Sequence, residues 1–174
     1  LSGDLIGASK GGAYGLIDKT GKWVVAAEFE DIRGFEGNKV APAMTGLWGL
    51  IDEKGAWVAP PQFDDLFSVK GFIQAQLGGK WGIVDEDGKW IAEPGFDDLY
   101  APEGGGLAGA RLGDKWGFVD GKGQWKIDPQ FDQVLGFGKS GVAAVRVGKS
   151  WGLIDSDGKW LVNPQFEGAS QSCS

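Results

Sequence analysis

Hydrophobic and polar residues alternate over short segments of this chain, and glycine-rich turns separate the segments. Residues 72–77 mostly alternate apolar and polar side chains, which is the period of a β-strand. Gly78 and Gly79 then predict a turn, and residues 81–85 predict a second strand. The sequence Asp-Glu-Asp-Gly at residues 85–88 is typical of a tight hairpin turn. This stretch therefore predicts a β-hairpin followed by a further turn.

The next residues continue the same all-β pattern. Residues 89–92 predict a third strand, which we expect Pro94 to end because proline cannot donate to a central strand ladder. Residues 96–100 predict a short fourth strand or an ordered crossing segment. Convincing helical periodicity is found in no window of the chain. The fold class is therefore predicted to be all-β, with three or four short antiparallel strands per unit.

The pattern recurs five times at intervals of 34, 33, 35 and 35 residues. Each copy starts from an aromatic residue followed by glycine, which we term the anchor pair: Tyr14-Gly15, Trp48-Gly49, Trp81-Gly82, Trp116-Gly117 and Trp151-Gly152. Four residues later comes the turn Asp: Asp18, Asp52, Asp85, Asp120 and Asp155. Seven residues after the anchor comes the turn Gly: Gly21, Gly55, Gly88, Gly123 and Gly158. These fixed offsets predict tandem copies of one structural unit.

Two further aromatic positions complete the repeat. Nine residues after the anchor lies the second Trp: Trp23, Trp57, Trp90, Trp125 and Trp160. Fifteen residues after it lies the closing Phe: Phe29, Phe63, Phe96, Phe131 and Phe166. Proline stands two residues before the closing Phe in four copies, and Ala27 replaces it in the first. All nine Trp therefore fall on two positions of the repeat, and we expect them to be mainly core residues.

Neighbouring units must stack, because one unit cannot bury both of its aromatic positions alone. The approximate units are residues 1–33, 34–67, 68–100, 101–135 and 136–169, in one repeat domain, with residues 170–174 as a flexible tail. A small closed five-bladed β-propeller-like ring is favoured, because polar capping repeats are not evident at either end. The alternative is an open β-hairpin solenoid, since about 34 residues is short for a four-stranded blade.

The repeated residues have structural interpretations that compete with chemical ones. The Asp-x-x-Gly spacing predicts that each turn Asp caps its own hairpin, although two such carboxylates would suit a glycosidase. Residues 85–87 and 155–157 resemble fragments of calcium loops but lack the further ligands. The glycine of each anchor pair predicts a bulge or an indole lying across bare backbone. If any Trp is exposed and stacks on sugars, the second Trp is the candidate.

Charge and composition exclude several kinds of function. The net charge of −7 disfavours nucleic acid, and no apolar run is long enough for a transmembrane helix, so membrane insertion is not expected. The chain has no histidine, which removes the commonest general base and metal ligand. Its one cysteine, Cys173, cannot form an internal disulfide. The chain begins with Leu1 rather than Met, so we expect that a segment was removed from its start.

The sequence resembles the bacterial WG-repeat (KWG-repeat) proteins over nearly its whole length. The resemblance rests on Lys-Trp-Gly-Ile-Val-Asp at residues 80–85, Gly-Lys-Trp-Ile at 88–91 and Pro-Gly-Phe-Asp at 94–97, with close copies from residues 115 and 151. Tyr14 departs from the Trp-Gly motif, and Ala13, Leu47 and Ser150 replace its usual lysine. The resemblance implies a structural repeat without a shared catalytic site, often in cell-surface or envelope proteins.

We therefore expect a non-catalytic scaffold that mediates protein–protein interaction, as an accessory or structural subunit of a larger bacterial assembly. A multivalent glycan-binding module is the alternative, and a hydrolase the third possibility. No catalytic, cofactor-binding or metal-binding residue is assigned, and no cofactor is expected. The cell envelope, periplasm or exterior is the expected location, with the cytoplasm as the alternative. Four residues that break the repeat are candidates for a protein interface: Arg33, Tyr100, Arg111 and Arg146.

Overall fold

The computed structural model describes residues 5–102 and 106–170, and Cys173 lies outside them. The described residues form nineteen β-strands in five antiparallel sheets. A helix long and apolar enough to cross a membrane is not found among them. The chain divides into two compact units between Pro94 and Gly95. The prediction of an all-β chain with five repeats is confirmed.

The five sheets follow one another along the sequence, and each has its strands in chain order. Sheet 1 contains β1 (Ile6–Lys10), β2 (Ala13–Ile17) and β3 (Trp23–Phe29). Sheet 2 contains β4 (Asp31–Ile32), β5 (Ala41–Thr45), β6 (Leu47–Ile51) and β7 (Trp57–Phe63). Sheet 3 contains β8 (Asp65–Val69), β9 (Phe72–Leu77), β10 (Lys80–Val84) and β11 (Trp90–Phe96).

The last two sheets belong to the second compact unit and have four strands each. Sheet 4 contains β12 (Asp98–Tyr100), β13 (Ala108–Leu112), β14 (Lys115–Val119) and β15 (Trp125–Phe131). Sheet 5 contains β16 (Gln133–Val134), β17 (Val142–Val147), β18 (Ser150–Asp155) and β19 (Trp160–Phe166). The anchor pair always lies in the third strand of a four-stranded sheet, and the closing Phe ends the fourth.

The short strand after each closing Phe pairs with the sheet that follows it. The segment predicted at residues 96–100 contains β12, but Leu99 pairs with Ala110 of the next hairpin and not with its own repeat. In the same way Leu66 of β8 pairs with Ala75 of β9. The sheets are therefore displaced by a few residues from the sequence units, and this connection joins one repeat to the next.

Pro94 does not end its strand, and that prediction was wrong. β11 continues from Trp90 to Phe96, with Pro94 inside it. The equivalent strand β15 shows how a ladder accommodates proline: Trp116 pairs with Phe131 and Phe118 with Ile127, so extra residues of β15 bulge between the two pairs. Pro129 lies in that bulge, where its missing N–H costs no ladder hydrogen bond.

Apolar side chains of successive sheets pack face to face within each unit. In the first unit, Leu50 and Phe63 of sheet 2 share a buried cluster with Leu66 and Ile73 of sheet 3. In the second unit, Phe118 of sheet 4 packs in a cluster with residues of sheet 5. Each repeat therefore buries its apolar face on a neighbour, as expected of a repeat protein.

Candidate interaction surfaces

Each turn Asp caps its own hairpin through one carboxylate oxygen. Oδ1 of Asp85 accepts hydrogen bonds of 2.9 Å from the backbone N–H groups of Asp87 and Lys89. The backbone N–H of Gly88 also donates to the Asp85 carbonyl, and Gly88 has a φ of 75°, which favours glycine. The other four turn Asp residues accept the same two N–H bonds: Asp18, Asp52, Asp120 and Asp155. The predicted capping role is confirmed.

The acidic segment at residues 85–87 lines a cavity of about 470 Å³ in the first unit. Asn38, which is buried, closes one side of it and donates to the Val69 carbonyl at 2.9 Å. Glu86 accepts a hydrogen bond from the backbone N–H of Lys39. The carboxylates here serve the turn and the neighbouring loop, and no group of three or more metal-ligating side chains is found among the described residues.

The glycine of the anchor pair is required by a close approach of the bulged strand. A Cβ at Gly82 would lie 2.5 Å from the Ala92 carbonyl oxygen and 2.7 Å from Cζ3 of Trp90. At Gly49 it would lie 2.8 Å from Cζ3 of Trp57, and at Gly152 it would lie 2.8 Å from Cζ3 of Trp160. In these three repeats the second Trp therefore lies across the bare backbone of its own anchor pair, as the sequence predicted.

In four repeats the second Trp also contacts the closing Phe of the preceding repeat. The pairs within each unit are edge to face, with ring centroids 5.5 Å apart for Phe29 and Trp57. The remaining pairs are Phe63–Trp90 at 5.5 Å, Phe96–Trp125 at 5.6 Å and Phe131–Trp160 at 6.0 Å. This contact gives the aromatic residues of these four pairs a packing role between successive repeats.

The two Trp positions differ in exposure. Anchor residues Trp48, Trp116 and Trp151 are 6 to 8% exposed, whereas the second-position residues Trp57 and Trp160 are 37% and 40% exposed. The expectation that the Trp residues are mainly core holds for these three anchors and is wrong for the other six. Trp81 at the anchor position is half-buried, as are the second-position residues Trp23, Trp90 and Trp125. The second Trp nevertheless has a structural role, because it packs on the anchor glycine of its own repeat and on the closing Phe of the preceding repeat, as Trp90 does on Gly82 and Phe63.

A second set of acidic caps was missed from the sequence. Oδ2 of Asp64 accepts from the backbone N–H of Gly78 at 2.7 Å, so a residue after one repeat's closing Phe caps the first hairpin of the next. Asp97 caps Gly113 and Asp132 caps Gly148 in the same way. The signal was available, because the residue after the closing Phe is acidic in all five copies: Glu30, Asp64, Asp97, Asp132 and Glu167.

Asp132 also forms an ion pair with Lys115 in the second unit. The hydrogen bond from the Lys115 ammonium, and then that from the Gly148 N–H, hold the pKa of the Asp132 carboxyl below its ordinary value. The same hydrogen bond raises the pKa of Lys115. Both groups are therefore stabilised in their charged forms, across the junction of two repeats.

Arg33 is enclosed between two aromatic rings in the first unit. Its guanidinium carbon lies 3.9 Å from the ring centroids of both Trp48 and Phe67. Its Nη1 donates to Oδ1 of Asp65 at 2.7 Å and to the Leu66 carbonyl. This planar cation therefore links sheet 2 to sheet 3 through stacking, an ion pair and a backbone contact.

The other three interface candidates lie in the second unit. The Tyr100 ring stacks on Trp116 with centroids 4.7 Å apart, and it is 49% exposed. Burial raises the pKa of the Tyr100 hydroxyl, with a further contribution from Asp98. Arg111 and Arg146 each donate to the carbonyl two residues later, of Gly113 and Gly148. The structure therefore brings Tyr100 and Arg111 together around Trp116.

Aliphatic side chains are exposed at a recurring position directly after the second Trp, as they also are four residues before three anchors, at Leu77, Leu112 and Val147. Those after the second Trp lie in the last strand of their sheets and are 38 to 54% exposed: Val24, Val58, Ile91 and Leu161. Lys126 takes this position in the fourth copy. We term these four residues the aliphatic edge row.

Comparison with known proteins agrees with this architecture. In the solved structures, Hsv2 of Kluyveromyces lactis is 15% identical with a TM-score of 0.52, and the match covers 92% of this chain and 60% of Hsv2. The computationally designed Ika8 protein is 13% identical with a TM-score of 0.48, and the match covers 90% of this chain and 57% of Ika8. The chain thus spans less than two thirds of either structure. No curated protein matches the sequence.

A family model described as the WG containing repeat matches the chain five times. The matched residues are 14–46, 48–81, 81–116, 116–150 and 151–171, so that almost every residue from the first anchor pair onward is included. The anchors, the turn caps and the Trp–Phe contacts fall in these matched repeats. The chain therefore belongs to the WG-repeat family.

Proposed function

We propose that this chain is a non-catalytic β-repeat scaffold that binds a protein partner, as an accessory or structural subunit of a larger bacterial assembly. The observation that carries the proposal is that the recurring residues and the aliphatic edge row have different surroundings in the structure. The recurring residues cap hairpins or pack one repeat on the next, and the aliphatic edge row serves neither purpose. Exposed apolar side chains in a regular series are typical of an interaction surface.

The aliphatic edge row suits a protein partner in its chemistry. Ile91 and Leu161, at 48% and 54% exposed, offer apolar surface that a partner's apolar side chains can cover. The row lies on strands at the edges of their sheets, where backbone groups are also available for pairing. Since the edge position recurs three times in the first unit, at Val24, Val58 and Ile91, several weak contacts can add up to one stable interaction.

Affinity purification from the native source, followed by mass spectrometry, tests this function. We expect one protein to co-purify stoichiometrically with the unaltered chain. The variant Ile91→Ser should lose that partner, whereas the control Lys122→Ser changes an exposed turn residue and should retain it. Retention of the partner by Ile91→Ser would exclude the edge row as the binding surface, and the absence of any protein partner would contradict the proposed function.

We also propose a β-propeller-like arrangement of the five repeats. Support comes from the fold likeness to Hsv2, a β-propeller, and from sheets whose four strands follow in chain order. Small-angle scattering tests it: a compact chain of this length has a radius of gyration of about 16 Å. An open solenoid would give a clearly larger value and an elongated distance distribution.

Glycan binding is the second candidate, favoured by the exposed face of Tyr100 and the exposed edges of Trp57 and Trp160. Aromatic faces pack against the C–H faces of sugar rings. A glycan array read with intrinsic Trp fluorescence distinguishes this function from the first.

For location, we propose the cell envelope or exterior on the family resemblance alone, and fractionation of the native cells tests it.

A further inference from the structure

The residue four positions after the closing Phe lies at the junction between successive sheets. We term it the junction position, and it is held by Arg33, Phe67, Tyr100 and Leu135. Arg33 and Tyr100 do the same thing in their own sheets: each lies on the anchor Trp of that sheet. The Arg33 guanidinium is 3.9 Å from the Trp48 centroid, and the Tyr100 ring is 4.7 Å from that of Trp116.

In the first unit, the groove between the anchor Trp of one sheet and the junction residue of the next sheet contains a guanidinium group. The Arg33 guanidinium fills the space between Trp48 and the next junction residue, Phe67. It donates to Asp65 and to the carbonyl of Leu66, which are the second and third residues after the closing Phe. A planar cation is therefore held by an aromatic or apolar wall, a side-chain oxygen and an edge-strand carbonyl.

In the second unit the equivalent groove is open. A cavity of about 360 Å³ is lined there by Tyr100, Trp116, Gln133, Val134 and Leu135, among others. Gln133 and Val134 are the second and third residues after the closing Phe, and Val134 holds the ladder position of Leu66, paired with a residue of the next strand. Because the junction residue is Tyr100 and not arginine, the guanidinium that Arg33 supplies in the first unit has no counterpart at this position.

We propose that this groove, between Tyr100 of sheet 4 and Gln133 to Leu135 of sheet 5, binds the guanidinium of an arginine side chain of the protein partner. The inference rests on the proposed function and names the chemistry by which the partner is recognised. The exposed face of Tyr100 stacks on a planar cation, and the amide oxygen of Gln133 and the Val134 carbonyl accept its N–H bonds.

The charges around the groove are compatible with a cation. Two arginines lie near the groove. Arg111 is 5.9 Å from the Trp116 centroid and donates to the Gly113 carbonyl. Arg146 is paired with Gln133 in the ladder, donates to the Gly148 carbonyl and interacts electrostatically with Asp132. Asp98 lies directly opposite Arg111 in the ladder, so that the two charges offset each other. The chain as a whole carries a net charge of −7, which attracts basic partners over longer distances.

Titration of the intact chain with N-acetyl-arginine amide, followed by NMR of ¹⁵N-labelled Trp indoles, tests the proposal. One side chain makes few contacts, so binding in the millimolar range or weaker is expected. We expect a saturable shift of the Trp116 indole signal, assigned with Trp116→Phe. N-acetyl-citrulline amide has nearly the same shape without the charge, and it should bind at least several-fold more weakly. Equal binding of the two probes, or no shift, would overturn the proposal.

Two substitutions exchange the roles of the two grooves. Tyr100→Arg introduces the arginine that the first unit already carries, so it should occupy the groove from within and remove probe binding. Arg33→Ala empties the first groove, which keeps Asp65, and should add a second site reported by the Trp48 indole. Unchanged probe binding in Tyr100→Arg, with the other indole signals in place, would contradict the site. The purification of a partner tests the proposed function separately, because it does not depend on the probe.

Discussion

The guanidinium of Arg33 lies 3.9 Å from the centroid of the Trp48 ring, although these residues are fifteen positions apart in the sequence. Arg33 follows the edge strand β4, and Trp48 lies in β6 of the same sheet. The position of Arg33 is variable among the repeats, and in the sequence it resembles an interface residue. In the structure it joins two sheets, because Asp65 and Phe67 of the next sheet hold the same guanidinium.

We expect Arg33→Lys to lower the free energy of unfolding by about 1–2 kcal/mol, since lysine keeps the charge but loses the planar stacking. Urea denaturation followed by Trp fluorescence measures the effect. Arg146→Lys is the matched control, because Arg146 donates to the nearby Gly148 carbonyl and should change stability by less than about 0.5 kcal/mol. Equal losses in the two variants would show that the aromatic enclosure of Arg33 contributes nothing.

The closing Phe offers a test within one unit, since the same residue occurs in two environments. Phe131 is 2% exposed and meets Trp160, whereas Phe166 is 47% exposed. We expect Phe131→Ala to cost about 3–5 kcal/mol and Phe166→Ala to cost less than about 1 kcal/mol. Thermal and urea unfolding of both variants measure the difference.

The comparison of these two variants isolates packing between repeats. Both variants remove the same side chain from the end of a fourth strand, so strand propensity changes equally. A loss of the same size at Phe166 would mean that the Phe131 effect comes from within its own sheet and not from the contact with Trp160.

Local features of the fold could be predicted from the sequence because they depend on neighbouring residues. Asp85 and Gly88 fix a hairpin by themselves, since the carboxylate reaches N–H groups two and four residues on. The indole of Trp90 lies near the Gly82 backbone for a similar reason, as the two strands are joined by that hairpin. The number of repeats follows from the same short-range signature.

Contacts between repeats were harder to predict, because the sequence of one repeat does not determine which strand or side chain of the next repeat it will contact. β12 follows β11 directly, yet it pairs with β13 across a loop. Pro94 resembles a strand terminator until the bulge that accommodates it is known. The interaction of Asp64 with Gly78 and of Arg33 with Asp65 depends on how one sheet lies on the next.

The anchor glycine is expected to resist substitution for steric reasons. A Cβ at Gly82 would lie 2.5 Å from a backbone oxygen, so Gly82→Ala must displace β11 and should cost about 1–3 kcal/mol. Gly7, in β1 of sheet 1, is the matched control, since a Cβ there meets nothing within 4 Å. Gly7→Ala should be neutral or slightly stabilising, because alanine restricts the unfolded chain. Unfolding curves that coincide for the two variants would contradict the close approach.

The Lys115–Asp132 ion pair predicts how stability changes with pH at both ends of the range. The pKa of Asp132 is lowered in the folded protein, so its contribution is complete above the unfolded value of about 3.9 and is lost as the pH falls through the folded pKa. The pKa of Lys115 is raised, so its contribution is complete below about 10.4 and is lost as the pH rises through the folded pKa.

Asp132→Asn removes the charge that perturbs Lys115 and also removes its own titration. The variant should therefore be less stable than the unaltered chain near neutral pH, and the difference should shrink both in acid and in strong base. Thermal unfolding midpoints measured across the pH range test this. Glu93→Gln removes one negative charge from an exposed position, so it controls for net charge. If the difference between Asp132→Asn and the unaltered chain shrinks in acid but stays constant into strong base, the stabilisation does not come from the ion pair, and the Asp132 side chain acts only as the cap of the Gly148 turn.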